Sequence, residues 1–214
     1  NFLAIEWSRQ KFVEKLGSIT LFVTHGPSCH RLRVSDDGMM ITSCDIRELF
    51  SDQEEADTRM LLHAQHAAHD GHDVVLIKSS DVDTEVLSIY HQSCISARIV
   101  LQAGTRENYR LIDIPLIRRE LGRDISSAIL GLHALTSCDM VSAFAGKGKK
   151  KAFQMAKTND ILSNAVKQLG EDVPPKQDLL SGVEKFVAAL YGHKGLGVNE
   201  ARYVMFCRSK NLES

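Results

Sequence analysis

The run Asp73-Val74-Val75-Leu76-Ile77-Lys78 constrains this chain more than any other stretch. Four apolar residues in succession, three of them β-branched and the group bounded by charges, predict a short strand covered on both faces. A strand of that kind belongs inside a parallel sheet, and parallel neighbours require crossover segments that are usually helical. The centre of the chain is therefore α/β.

The flanking patterns agree. Phe2 to Leu16 has helical spacing of apolar residues closed by Gly17, and Ile19 to Val23 reads as a buried strand. Arg31–Val34 and Met39–Thr42 flank Asp36-Asp37-Gly38, a hairpin signal. A helix capped by Ser51 or Asp52, with Glu54 or Glu55 completing a capping box, runs to about Asp70 and stops at Gly71. Its buried stripe is Met60, Leu61, Ala64, Ala67 and Ala68. Thr84–His91 reads as helix, and Ala97–Gln102 with Tyr109–Ile112 as a strand pair. Helical patterns dominate after Pro115: one to Gly122, then Ile125–Leu135, Lys149–Lys157, Asp160–Leu169, Leu179–Tyr191 and Val198–Cys207, with Pro174-Pro175 as the strong linker. The order is α/β first and mostly α afterwards. It suggests a core over 1–122, a helical region over 123–170 and C-terminal helices over 171–214.

Three acidic stations punctuate this pattern. Glu54-Glu55-Ala56-Asp57 opens a helix, Asp81-Val82-Asp83 directly follows the apolar strand, and Asp139 comes late in a helical pattern. Behind it lies Gly146-Lys147-Gly148-Lys149-Lys150-Lys151. Each feature also has a plainer reading. Acids in a first turn suit the helix macrodipole and its caps, Asp81 and Asp83 can cap the next helix, and Asp139 alone can be solvated. The lysine run can be a charged surface turn. Against that, carboxylates at strand ends and helix starts can converge on one rim of a parallel sheet, where α/β folds place their sites. Crowded oxygen ligands select Mg²⁺ or Mn²⁺. Glycines among lysines at a helix start suit a phosphate group.

His63, His66, His69 and His72 recur every third residue, but steps of three drift around a helix and do not put four ligands on one face. They read as a solvated, pH-sensitive face. His133 and Cys138 read as packing residues, because no Asp or Asn is evident to orient a nucleophile pair.

In order and spacing, "EEADTRMLLHA", "VVLIKSSDVDTEVL", "ALTSCDMVSAF" and "AGKGKKKAF" resemble the core of the flap endonuclease (5′ nuclease) family over about Gln53–Lys157. They also resemble uncharacterised animal proteins that share this core. The resemblance implies an α/β, PIN-like parallel-sheet core followed by a mostly helical part with a helix–hairpin–helix element. It implies that Glu55, Asp57, Asp81, Asp83 and Asp139 are catalytic metal ligands for Mg²⁺ or Mn²⁺. Gly146, Lys147, Gly148, Lys149, Lys150 and Lys151 would then hold DNA phosphates, with a monovalent cation at the hairpin. The implied chemistry is two-metal hydrolysis, with ions about 4 Å apart. Two further Asp residues of the family pattern have no match here, since Ile19–Val23 carries no acid, and the helical arch has no counterpart. Either an N-terminal part of the nuclease domain lies outside this chain, or this is an inactive nuclease-fold module that binds nucleic acid or a protein.

Composition sets the bounds on these readings. A chain of 214 residues with net charge −1 can build one real core, and any nucleic-acid contact must come from a local basic patch. Five scattered cysteines without a CxxC pair fit an intracellular protein, and the resemblance points to the nucleus. No apolar run reaches the roughly 18 residues of a membrane span.

Overall fold

A computed structural model describes residues 2–53, 55–105, 107–138 and 143–209. The chain is mixed α/β and divides into two compact units, residues 1–77 with 95–99, and residues 78–94 with 100–214.

The first unit contains an antiparallel meander of β1 (Leu21–His25), β2 (Ser28–Val34) and β3 (Ile41–Asp45). The Asp36-Asp37-Gly38 signal turns β2 into β3, with Gly38 at φ 72°. Ile19 stays outside β1 and is largely exposed. The N-terminal segment is not the single helix its periodicity predicts. It breaks into α1 (Phe2–Trp7), a 3-10 turn and α2 (Val13–Leu16). The break falls where the Ser8 hydroxyl donates to the Ile5 carbonyl at 2.7 Å, a local bond that competes with the helix ladder.

Helix α3 (Ala56–His69) starts later than the capping pattern suggests. Ser51 Oγ accepts from the Gln53 N–H at 3.1 Å instead of capping a helix. Arg59 secures this approach by donating to the carbonyls of Gln53 (2.5 Å), Gly26 (2.6 Å) and Ser51 (3.0 Å). Leu61 and Ala64 of the anticipated stripe are buried. So, in part, are two histidines expected in solvent. Phe22 packs edge-on against His63 and His66 with ring centroids 6.3 and 5.3 Å apart, and His63 Nε2 lies 3.0 Å from Thr24 Oγ1. The β1–β3 sheet claims that face of the helix, leaving His69 and His72 exposed.

A second sheet has the order β4-β5-β6, from β4 (Val74–Lys78), β5 (Arg98–Gly104) and β6 (Tyr109–Asp113). Arg98 N–H donates to the Asp73 carbonyl at one end of β4, and Ser79 N–H to the Gln102 carbonyl at the other, the ascending pairing of parallel strands. β6 returns antiparallel, with Leu101 opposite Ile112. β4 therefore lies at the edge of the described sheet, not inside it. Val74 and Leu76 are each 56 % exposed while Ile77 is 5 % exposed, so among the described residues the strand is covered on one face.

The second unit is mainly helical: α4 (Val82–His91), α5 (Ile114–Thr136), α6 (Lys149–Thr158), α7 (Asp160–Lys167), α8 (Gln177–Leu190) and α9 (Val198–Ser209). Asp113 caps α5 through a bond from Leu116 N–H, and Pro115 occupies its first turn. Gly122, at φ 76° and ψ 167°, interrupts α5 at the point where the sequence predicts a stop. The second half of α5 packs Ile125, Ala128 and Leu132 against Ala152 and Ala156 of α6, Val166 of α7, and Phe186 and Leu190 of α8. Arg118, ahead of the break, donates to the carbonyls of Ile89 (2.7 Å) and Tyr90 (3.1 Å), satisfying the C-terminal end of α4.

The tightest helix crossings use glycine. A Cβ on Gly131 would stand 2.0 Å from the Val166 carbonyl oxygen, and one on Gly182 2.8 Å from the Ala165 Cβ. Gly131→Ala should force α5 and α7 apart and cost about 1–3 kcal/mol, seen as a lower urea midpoint with an unchanged slope. The histidines set a pH dependence as well. His63 lies below its ordinary 6.5, chiefly through burial and then through the charges of His66 and Arg59, and burial lowers His91 in the same way. The unfolded chain then binds protons more readily than the folded one, so stability is complete above pH 6.5 and falls on acidification below it. Thermal midpoints measured across that range should show the fall, and His63→Gln combined with His91→Gln should flatten it.

Candidate functional site

The site grows from the segment after β4. Ser79 Oγ accepts from the Asp81 N–H at 3.1 Å and from the Thr84 hydroxyl at 2.9 Å. Ser80 Oγ meets both the N–H and the carbonyl of Gly104. This hydroxyl lacing leads the chain into α4. Asp81 is its N-cap, with Oδ1 accepting from the Asp83 N–H at 2.9 Å. Asp81 therefore performs the capping role that the plainer reading assigns to it.

Asp83 faces the helical core. Its Oδ1 lies 2.6 Å from Nε2 of His133, whose side chain is only 11 % exposed. His133 Nδ1 lies 3.0 Å from the Lys149 ammonium. An ammonium only donates, so Nδ1 must accept and the ring proton must sit on Nε2, donating to Asp83. The result is a chain of carboxylate, neutral imidazole and ammonium joining α4, α5 and the start of α6. This corrects the reading of His133 as a packing residue without an acidic partner. Its second nitrogen goes to Lys149 and not to Cys138. The sequence signal was a lone histidine within Ile129–Leu135, a stretch otherwise without ionisable groups, where an imidazole needs polar partners.

Lys149 opens a lysine-rich helix start. Gly146 turns with φ 66°, which favours glycine, and Gly148 is the N-cap of α6 with no side-chain capping bond. Lys149, Lys150 and Lys151 fill the first turn, which carries no acid. Cations there oppose the helix macrodipole, so the arrangement is locally unfavourable unless an anion joins it. Lys147 lies 5.5 Å from the centre of the Tyr191 ring. Lys151 is held below the usual lysine value, first by reduced solvation and then by the charge of Lys147.

The remaining acids are placed otherwise. Glu55 is the N-cap residue of α3 but makes no side-chain capping bond, and Asp57 sits in the first turn of that helix. Both belong to the first unit, whereas Asp81 and Asp83 belong to the second. Glu54 and Asp139 lie outside the described residues. Among the described residues, no group of three or more His, Cys, Asp or Glu is disposed to hold a metal ion. Asp81 and Asp83 supply hard oxygen donors, and Mg²⁺ is commonly held by one or two carboxylates together with water and substrate phosphates. The pair fits such an ion by donor chemistry.

Comparison with family models, with curated proteins and with solved structures gave no significant match. No helix among the described residues is long and apolar enough to cross a membrane.

Replacing His133 tests the chain directly. His133→Leu should destabilise the protein by only about 1 kcal/mol, since Asp83 is 36 % exposed and water takes over part of the bond. His133→Gln, whose amide can donate to Asp83 and accept from Lys149, should recover most of the loss in the same denaturation measurement.

Proposed function

We propose that this chain is a PIN-like, 5′ nuclease-like domain that hydrolyses phosphodiester bonds in DNA with Mg²⁺ or Mn²⁺. The observation that carries this reading is the Asp83–His133–Lys149 chain, which ties the acidic station after β4 to the lysine-rich start of α6. A phosphodiesterase needs that juxtaposition, with carboxylates for a cation beside ammonium groups for the strand. In this reading Gly146–Lys151 is the hairpin of a helix–hairpin–helix element, and Lys149, Lys150 and Lys151 hold backbone phosphates. Asp81 and Asp83 would hold the divalent ion together with water and the substrate phosphate. Once bound, that ion supplies Lewis acidity at the phosphoryl oxygens. His133 keeps Asp83 aligned by donating to it, and it holds Lys149 beside the acidic station.

A second reading is a nucleic-acid-binding module without catalysis. It is favoured by the prior engagement of both carboxylates, Asp81 as a helix cap and Asp83 on His133. Both readings share the lysines and differ at the acids.

Calorimetric titration of Mn²⁺ into the protein separates the two. Saturable binding that disappears in Asp81→Asn/Asp83→Asn, together with metal-dependent cleavage of branched DNA lost in the same variant, supports the nuclease. Cleavage that survives in that variant overturns the assignment of the acids, and no Mn²⁺ binding at all leaves the module. On either reading, Lys149→Ala/Lys150→Ala/Lys151→Ala should weaken DNA binding. It should also make the plot of log affinity against log salt shallower, by about 0.9 for each phosphate that the variant no longer neutralises.

A further inference from the structure

Beside the His133–Lys149 pair opens a cavity of about 290 Å³. Its lining is mainly apolar, with the buried Val86 and Leu132 and with Ile129, Phe153 and Val82. Val82 is 56 % exposed at the mouth. Lys149 and Lys150 also line the cavity, with His133 between Lys149 and Asp83. Thr136 offers no free donor, because its hydroxyl donates to the Leu132 carbonyl at 2.6 Å.

We propose that this cavity receives one unstacked nucleobase, with the adjoining phosphate on Lys149 and Lys150. The proposal rests on the phosphodiesterase reading and specifies its substrate as a strand with an unpaired nucleotide. Size, lining and charge each contribute. The volume is at the lower end for ligand pockets, so it suits a single ring system better than a long chain. An apolar wall with an aromatic ring accepts the flat face of a base, and such stacking tolerates any base. With the threonine proton committed to the backbone, His133 engaged on both nitrogens and the lysines facing the phosphate, the lining has little with which to read a base edge, so sequence preference should be weak. The two lysines supply the charge complement of a phosphate one bond away from the sugar. A base still paired in a duplex could not enter, so the site selects single-stranded or frayed DNA.

The test uses a trinucleotide with 2-aminopurine at its centre, an otherwise identical trinucleotide with an abasic centre, and a short fully paired duplex. All are titrated into the full chain in EDTA, with fluorescence and anisotropy recorded. The 2-aminopurine emission should change on binding, and the abasic strand should bind about tenfold more weakly. Phe153→Leu should remove both differences. Val82→Trp, which fills the mouth from an exposed position and so leaves the core intact, should do the same. Neither variant should alter duplex affinity, whereas Lys149→Ala/Lys150→Ala should weaken all three ligands. Equal binding of the base-containing and abasic strands by the unaltered protein would overturn the base site while leaving the phosphodiesterase reading in place. Failure to bind any of the three DNAs would remove both.

Discussion

The helical unit depends on the approach of Gly131 to the Val166 carbonyl, where there is no room for a side chain. That contact seats α5 against α7, and the other helices of the unit's core pack around the seated pair. His133 follows Gly131 by two residues, about 200° further around the helix. The side of α5 that lies backbone to backbone on α7 is thus opposite the side that offers an imidazole to α4 and α6. Packing on one face determines where a polar bridge can form on the other. The Asp83–His133–Lys149 chain is therefore a consequence of core geometry as much as of its own three residues.

Much of the order of elements was legible in the sequence, because the signals concerned are local. Gly122 ends the first half of α5, Asp113 and Pro115 begin it, and Asp36-Asp37-Gly38 turns a hairpin, each through backbone chemistry contained within a few residues. Misreadings arose where a distant segment decides the outcome. Val74 and Leu76 look like a doubly buried strand, yet burial depends on what lies over the sheet, which a six-residue run does not encode. His63 and His66 look solvated because the helix pattern does not reveal that Phe22, some forty residues earlier, will lie against them. The N-terminal segment has helical periodicity but also Ser8, whose hydroxyl bonds the backbone and interrupts it.

The candidate site divides along the same line. The acidic stations and the lysine run were visible as residue types at particular spacings. Their partners were not, since His133 reaches Asp83 across fifty residues and Lys149 across sixteen. Capping and site-forming roles also prove less exclusive than residue-by-residue reasoning makes them. Asp81 caps α4 with Oδ1, and in doing so it is held beside Asp83 at the carboxyl end of a strand. A structural bond can serve as the means by which a carboxylate is positioned.

The break at Gly122 bears on how such a chain can vary in length. Before it, Arg118 is committed to the carbonyls at the end of α4, and after it come Gly131 and His133, committed to α7 and to the bridge. Ser126 Oγ donates to the Arg118 carbonyl at 3.3 Å, spanning the two halves. Adding or deleting one residue in a continuous helix rotates everything beyond it by about 100°. Gly122, where the backbone already leaves the helical path, can absorb such a change. Between Ile125 and His133 the same change would turn the glycine out of its seat or the imidazole away from its carboxylate. Insertions and deletions should therefore be tolerated at the break and selected against in the nine residues that end on His133.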